Sequence, residues 1–175
     1  MKPSDVLSFW FEEVTSKQHF SKDEKFDALI TERFGELHTD IANGKYKELE
    51  ESSEGSLALI IILDQFSRNM FRDTAQAFTY DAEALRIARR ATERGFDKDL
   101  TQEKRHFLYM PFMHSENKED HKVAVDLFSS LENKETLKYE LDHKRIIDRF
   151  GRYPHRNKIL GRETTPEEKE FLESD

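Results

Sequence analysis

Cysteine is absent from the 175-residue sequence, which excludes disulfides, thiolate metal ligands and a thiol nucleophile. Glycine and proline are also scarce, at six and four residues, so tight turns are few. Only 4 valines accompany 16 leucines, a ratio that favours helices over sheets. These shortages together indicate an all-α protein.

Long apolar runs are missing as well. The longest one extends from Leu57 to Leu63, whereas a membrane-spanning helix needs about 20 apolar residues. The first residues lack the pattern of a secretory signal, so we expect a cytoplasmic protein with no membrane partner. The formal net charge of −8 argues against a nucleic-acid partner.

The composition is nevertheless that of a folded chain. Charged residues make up 37% of the sequence, but it also contains 14 phenylalanines, five tyrosines and one tryptophan, which disordered chains lack. The length suits one ordinary domain with a real core. We therefore expect a single all-α domain over residues 1–175.

Capping residues and apolar periodicity divide the chain into about eight helices joined by short loops. Ser21 with Glu24 forms a capping-box pattern, and Asn43-Gly44 can end the helix that follows. The segment LALIIILDQF is apolar on all sides, which predicts the central buried helix. Consecutive helices with short joints predict stacked antiparallel hairpins. The predicted helices begin near Ser4, Ser21, Ser53, Ala75, Thr101, Asn117, Lys134 and Thr165.

Two segments carry more polar groups than packing alone requires. In the segment Leu63 to Arg72, Asp64 and Arg68 are four residues apart and can pair on one face of a buried helix, where the pair would fix the register of that helix. The segment Tyr109 to Glu116 contains His114, which is either a core histidine or a ligand-binding group. The pattern of a zinc site is missing, so we expect neither a bound metal nor a cofactor.

The third polar segment, from His143 to Arg162, has seven cationic residues and one acid, Asp148. Its charge of +6 leaves −14 for the rest of the chain, since −8 minus 6 is −14. Five of the seven cations are arginines, whose planar fork suits carboxylate or phosphate. Some of these arginines would pair with the acidic surface, and the others would form an anion site.

These three segments resemble a bacterial family known as domain of unknown function 924. The family pattern runs approximately LLDQFPRN-x-x-R, then YMPLMHSE, then RFGRFPHRN-x-x-LGR-x-S-T-x-E-E-x-x-FL. The matching residues here are Leu63 to Asn69 with Arg72, Tyr109 to Glu116, and Arg149 to Leu172.

The chain departs from the family pattern at Ser67 and Tyr153, where the family has proline and phenylalanine, and at Thr164, where it has serine. The resemblance extends from about Val6 to Leu172. It implies a tetratricopeptide-like helical fold and no particular activity.

We consider three functions for the polar segments. The first is a pocket for a small anionic ligand, phosphate or carboxylate, in which His and Glu among arginines leave acid–base catalysis open. No nucleophile and no phosphate loop is recognisable. The expected ligand-binding residues are Arg68, Asn69, Arg72, His114, Glu116, His143, Arg149, Arg152, His155, Arg156 and Asn157.

The second function is that of a tetratricopeptide-like interaction module whose arginine-rich groove binds an acidic peptide or the C-terminal carboxylate of a peptide. The third is a structural polar core with the function elsewhere. A closed pocket with converging Arg and His side chains would favour the small ligand, and an open groove would favour the peptide.

Overall fold

A computed structural model describes residues 2–174, and these contain helices and no β-strand. The helices are α1 (Pro3–Ser8), α2 (Ser16–Phe20), α3 (Glu24–Ala42), α4 (Ser53–Ile60), α5 (Ser67–Met70), α6 (Asp81–Glu93), α7 (Gln102–His114), α8 (Lys118–Ser129), α9 (Lys134–Phe150), α10 (Asn157–Leu160) and α11 (Pro166–Ser174). A π-helical segment, Ile61–Phe66, joins α4 to α5 without a break. The all-α prediction is confirmed, with somewhat more helices than the eight predicted.

The joined helices α4 and α5, with the π-helical segment between them, form the central rod (residues 53–70). Every residue from Gly55 to Ser67 is buried, which confirms the prediction of a central helix that is apolar on all sides. The rod packs against α1, α3, α6 and α7. Phe66 lies 5.0 Å from Phe34 and 5.7 Å from Trp10 between ring centroids, so aromatic rings fill the space between the rod and its neighbours.

Consecutive helices along the second half of the chain pack on one another. Helix α6 contacts α7, α7 contacts α8, and α8 contacts α9. This order of packing agrees with the hairpins expected from short loops. The tetratricopeptide-like arrangement stays a prediction.

Local capping explains most of the helix boundaries. The side chains of Thr101, Asn117 and Asn133 accept hydrogen bonds from the first turns of α7, α8 and α9. Gly151 ends α9 with φ of +72°, a backbone conformation that favours glycine. Thr165 and Glu168 form a capping box at the last helix, which was predicted to begin near Thr165.

Three local predictions require correction. Helix α3 is capped by Asp23, whose carboxylate accepts from two backbone amides, and Ser21 instead ends α2. Ser4 lies inside α1, which begins at Pro3. The segment from Ala75 forms a short 3-10 helix, Ala75–Phe78, and the predicted α-helix begins only at Asp81, as α6.

No helix among residues 2–174 has the length and the apolar character needed to cross a membrane.

Gly55 is required by a close approach of two segments. A Cβ atom at this position would lie 2.2 Å from the backbone oxygen of Leu49 and 2.7 Å from the Ser52 Oγ atom. Gly35, in the interior of α3, is the opposite case. The atom nearest to its hypothetical Cβ is Thr31 Cγ2, at 4.0 Å.

The substitution Gly55→Ala should lower the free energy of unfolding by about 1–3 kcal/mol, because the backbone at Leu49 must move. The matched substitution Gly35→Ala should raise it by about 0.5–1 kcal/mol, because alanine loses less chain entropy in a helix. Urea denaturation monitored by circular dichroism measures both changes. A neutral or stabilising Gly55→Ala would contradict the packing of Gly55 against the segment before α4.

Candidate functional site

The site is centred on Asp64, a carboxylate in the π-helical segment of the central rod that is fully buried. It accepts hydrogen bonds from Gln65 Nε2 at 2.8 Å, from His114 Nδ1 at 2.7 Å and from Arg68 Nη1 at 3.2 Å. Burial raises the pKa of Asp64, but His114 and Arg68 outweigh burial and lower it to about 2. The carboxylate is therefore charged, and it fixes the position of His114 at the end of α7.

Arg68 connects this carboxylate to a second one. Its guanidinium donates two hydrogen bonds to Asp81, at 2.8 and 3.0 Å, in the first turn of α6. The buried ion pair expected between Asp64 and Arg68 is present, and Asp81 extends it. Arg68 thus lies between two carboxylates that together neutralise its charge.

Most arginines of the predicted anion site also have a carboxylate partner. Arg72 pairs with Asp27 of α3, and Asn69 donates to the same carboxylate. Arg149 pairs with Glu167 at 3.0 Å, and Arg152 pairs with Glu168 through two hydrogen bonds. Asn157 Nδ2 also donates to Glu168, at 3.3 Å. The contacts of Arg149, Arg152 and Asn157 attach the arginine-rich segment to α11.

Glu116 holds the segment after α9 against the end of α7. Its carboxylate accepts two hydrogen bonds from Arg162, at 2.9 and 3.1 Å, and one from the Tyr153 backbone amide at 2.6 Å. The Tyr153 hydroxyl donates to the carbonyl oxygen of Met113. The loop that carries the PHRN sequence is therefore fixed to the turn that carries His114.

Arg156 is the arginine of this group with the least complete pairing. It donates to the carbonyl oxygen of His114 at 3.0 Å, while Asp81 and Glu116 are 3.9 and 3.8 Å away. Its Nε atom is buried and has no partner among residues 2–174. Burial is the main cause that lowers the pKa of Arg156, and the nearby Arg68 adds to it.

The structure divides the predicted site residues into two groups. Arg68, His114, Glu116 and Arg156 form one connected cluster with Asp64 and Asp81. The others lie outside the cluster. Asn69 and Arg72 bind α3, and Arg149, Arg152 and Asn157 bind α11. His155 is exposed, and His143 lies in a separate cavity that His114 also lines.

That cavity, the histidine pocket, has a volume of about 770 Å³. Four imidazoles line it, those of His19, His106, His114 and His143, and no lysine or arginine does so among the described residues. Its apolar lining comes from Phe20, Phe107, Met110, Met113 and Leu131, and its other lining residues are Ser16, Gln102, Glu103, Asn133, Glu135, Thr136 and Tyr139.

Hydrogen bonds fix the proton on one nitrogen of three of these imidazoles. His114 Nδ1 donates to Asp64, His143 Nδ1 donates to the Tyr139 carbonyl oxygen at 2.7 Å, and His19 Nε2 donates to the Trp10 carbonyl oxygen at 2.8 Å. Neither ring nitrogen of His106 has a partner among the described residues. Burial is the largest cause that lowers the pKa of all four histidines, that of His106 to about 4.

Sequence reasoning did not identify His19 and His106 as pocket residues. A signal for His106 exists, because His106, Met110 and His114 recur every four residues and so share one face of α7. No comparable signal exists for His19, which reaches the pocket from α2 through tertiary packing alone.

His121 is a buried histidine that contacts the segment directly after His114. His121 Nδ1 donates to Glu140 Oε1 at 2.6 Å, and His121 Nε2 donates to the Ser115 carbonyl oxygen at 2.7 Å. Both partners are oxygen atoms that can accept a hydrogen bond, so this environment favours a proton on both ring nitrogens. Burial, the largest single cause, lowers the pKa of His121, but the hydrogen bond and charge of Glu140, the Ser115 carbonyl oxygen and the charge of Asp120 together raise it above its ordinary value.

The fold and the site define an all-helical protein with a buried Asp–His–Arg cluster beside a histidine pocket. Residues 6–175 match the family described as bacterial protein of unknown function (DUF924), and the chain belongs to that family. A solved structure, that of the protein of unknown function ATU0120 from Agrobacterium tumefaciens, is 39% identical, with a TM-score of 0.94 over 99% of this chain and 97% of that one. No curated protein matches the chain.

The pair of His121 and Glu140 should make stability depend on pH. Because the folded pKa of His121 is raised, its contribution is fully present below its unfolded pKa of about 6.5 and is lost as pH rises through the folded pKa. Burial also raises the pKa of Glu140, although His121 opposes it, and this changes stability in the same direction.

We therefore expect the free energy of unfolding of the parent protein to fall more steeply between about pH 6 and about pH 9 than that of Glu140→Gln. The extra fall should be about 1.4 kcal/mol for each unit by which the folded pKa of His121 exceeds its unfolded pKa. Urea denaturation at several pH values measures the difference. The surface variant Glu167→Gln should follow the parent curve. Parallel curves for the parent and Glu140→Gln would show that His121 is neutral in the folded protein.

Proposed function

We propose that this protein binds a small anionic molecule in the histidine pocket. The observation that carries the proposal is the hydrogen bond of 2.7 Å between the fully buried Asp64 carboxylate and His114, because it holds an imidazole of fixed orientation in the wall of a cavity. A concave, largely apolar cavity with a few convergent polar groups is the usual form of a small-molecule site. A volume of about 770 Å³ is within the range of such sites.

The pocket is a better candidate for the anion than the arginine-rich segment. Arg149, Arg152 and Arg162 each have a carboxylate at hydrogen-bond distance, so an incoming anion would have to displace Glu167, Glu168 or Glu116. The pocket histidines carry no such partner apart from Asp64. Arg156 differs from these three arginines, because its buried Nε atom has no partner among the described residues.

The lining of the pocket indicates an amphipathic ligand. Phe107, Met110 and Met113 come from successive turns of α7 and would contact an apolar body, while the imidazoles would contact a polar or acidic group. A purely inorganic ion would leave this apolar surface uncovered. The lining therefore favours a small organic acid over phosphate or sulfate.

The pair of Asp64 and His114 is also arranged for acid–base catalysis. A buried carboxylate that receives the Nδ1 proton fixes the tautomer of the ring and leaves Nε2 free to exchange a proton. If the ligand is a substrate, we assign this proton exchange to His114. The chain offers no nucleophile in a recognisable arrangement, so we propose no reaction.

A peptide ligand is the second candidate, and one observation favours it. Phe20 and Tyr139 line the pocket while 66% and 58% of their surface is exposed, so the pocket continues into an aromatic surface. The arginines that would clamp a carboxylate of the peptide are paired, however, and the support for this candidate is correspondingly smaller.

Binding can be tested with a fluorescent aromatic anion, anilinonaphthalene sulfonate, and with phenylnaphthylamine, which lacks the sulfonate. We expect one saturable site for the anion, and His114→Asn should weaken its binding about fivefold or more, which is about 1 kcal/mol, because a charged hydrogen bond is lost. The same substitution should leave the binding of phenylnaphthylamine within about twofold. Fluorescence titration measures both affinities.

The matched control is His155→Asn, which removes an exposed histidine outside the pocket and should change neither affinity. Unchanged anion binding in His114→Asn would refute the pocket as the anion site. A sulfate-dependent rise in melting temperature that disappears in Arg156→Gln would assign the anion to the arginine-rich segment instead.

A further inference from the structure

We infer, on the basis of the proposed function, that the histidine pocket takes up its anionic ligand together with a proton and that its ligands are weak organic acids with an apolar body. The inference rests on the hydrogen bonds of the pocket imidazoles and on the absence of lysine and arginine from the described lining of the pocket.

The internal hydrogen bonds determine what the pocket offers to a ligand. In a neutral imidazole one nitrogen is a donor and the other is an acceptor. His19, His114 and His143 each donate their one proton to a carbonyl or carboxylate oxygen of the protein. The second nitrogen of each neutral ring therefore carries a lone pair. This lone pair repels an anion and accepts a proton from an acid.

The lining offers uncharged donors from side chains such as Gln102, Asn133 and His106, but among the described lining residues only a protonated ring can place a positive charge beside an anion. A lysine or arginine would supply a permanent donor, but the described lining contains none. Two descriptions of binding then have the same proton balance: the acid enters in its neutral form, or its anion enters while an imidazole takes a proton from solvent. In both cases the ligand and the ring share one proton in a hydrogen bond.

His114 is the ring best placed to hold the extra proton. Asp64 accepts from its Nδ1 atom and stabilises a positive charge on the ring, whereas His143 and His19 donate to uncharged carbonyl groups. Arg68 opposes the charge on His114, and it is itself held by Asp64 and Asp81. Arg156 contacts the His114 carbonyl oxygen from the other side.

The charged and titratable groups around the other rings also bear on their protonation. His106 faces His19 and His114, and both oppose its protonation. His143 faces His114, His121 and His155, which oppose its protonation, and His19 faces Glu103, which favours it. A single proton on His114 therefore disfavours a second proton on its neighbours, and we expect an uptake of one.

The dependence of affinity on pH tests the inference. Anilinonaphthalene sulfonate stays anionic at every pH used, so any proton that accompanies its binding goes to the protein. Its dissociation constant should increase about tenfold for each pH unit between about pH 7 and about pH 9, whereas that of phenylnaphthylamine should stay constant. Calorimetry in two buffers of different ionisation enthalpy counts the proton directly.

The variants separate this inference from the proposed function. His114→Asn should bind the anion weakly and without dependence on pH, and His155→Asn should keep the full dependence of the parent protein. If the anion binds one site that His114→Asn weakens, but its affinity does not change with pH, the proposed function stands and proton uptake is refuted. If the anion shows no saturable binding at any pH, both are refuted.

Discussion

The burial of one carboxylate imposes the main constraint on this structure. Asp64 lies at the centre of an otherwise apolar rod, where an unpaired charge would cost several kcal/mol. Three donors are therefore required, and one of them, His114, must come from another helix. The requirement fixes α7 against the rod, and Arg68 then fixes α6 through Asp81. Packing alone would bring these helices together, but the hydrogen bonds define their register.

Pairing of opposite charges also accounts for the unusual charge distribution of the sequence. The arginine-rich segment carries +6 in a chain of net charge −8, and its partners are carboxylates supplied by distant elements. Glu116 after α7 receives Arg162, while Glu167 and Glu168 of α11 receive Arg149 and Arg152. Most arginines of the segment are thus paired with acidic residues elsewhere in the chain. Arg156 has the least complete pairing.

The sequence allowed the helices to be predicted because their signals are local. The predicted starts near Thr101, Asn117 and Thr165 depend on neighbouring residues, and a cap is observed at all three. The start at Ser21 was wrong because Asp23, a charged acceptor two residues further on, caps the amides of Lys25 and Phe26. The pair of Asp64 and Arg68 was also predictable from its spacing of four residues. The histidine pocket was not, because its rings come from three helices and the spacing in the sequence relates only His106 and His114. The division into a single domain stays a prediction.

His114 belongs to both parts of the site, and this sharing has a physical consequence. Its Nδ1 atom stabilises the buried Asp64, and its ring lines the pocket. A ligand that changes the charge of this ring changes the electrostatic environment of Asp64 as well, and through Arg68 that of Asp81. Because these groups hold the rod, α6 and α7 together, ligand binding and helix packing depend on the same few hydrogen bonds. On the proposed proton uptake, a bound acid would strengthen the pairing of His114 with Asp64, and occupancy of the pocket would then stabilise the interface between α7 and the rod.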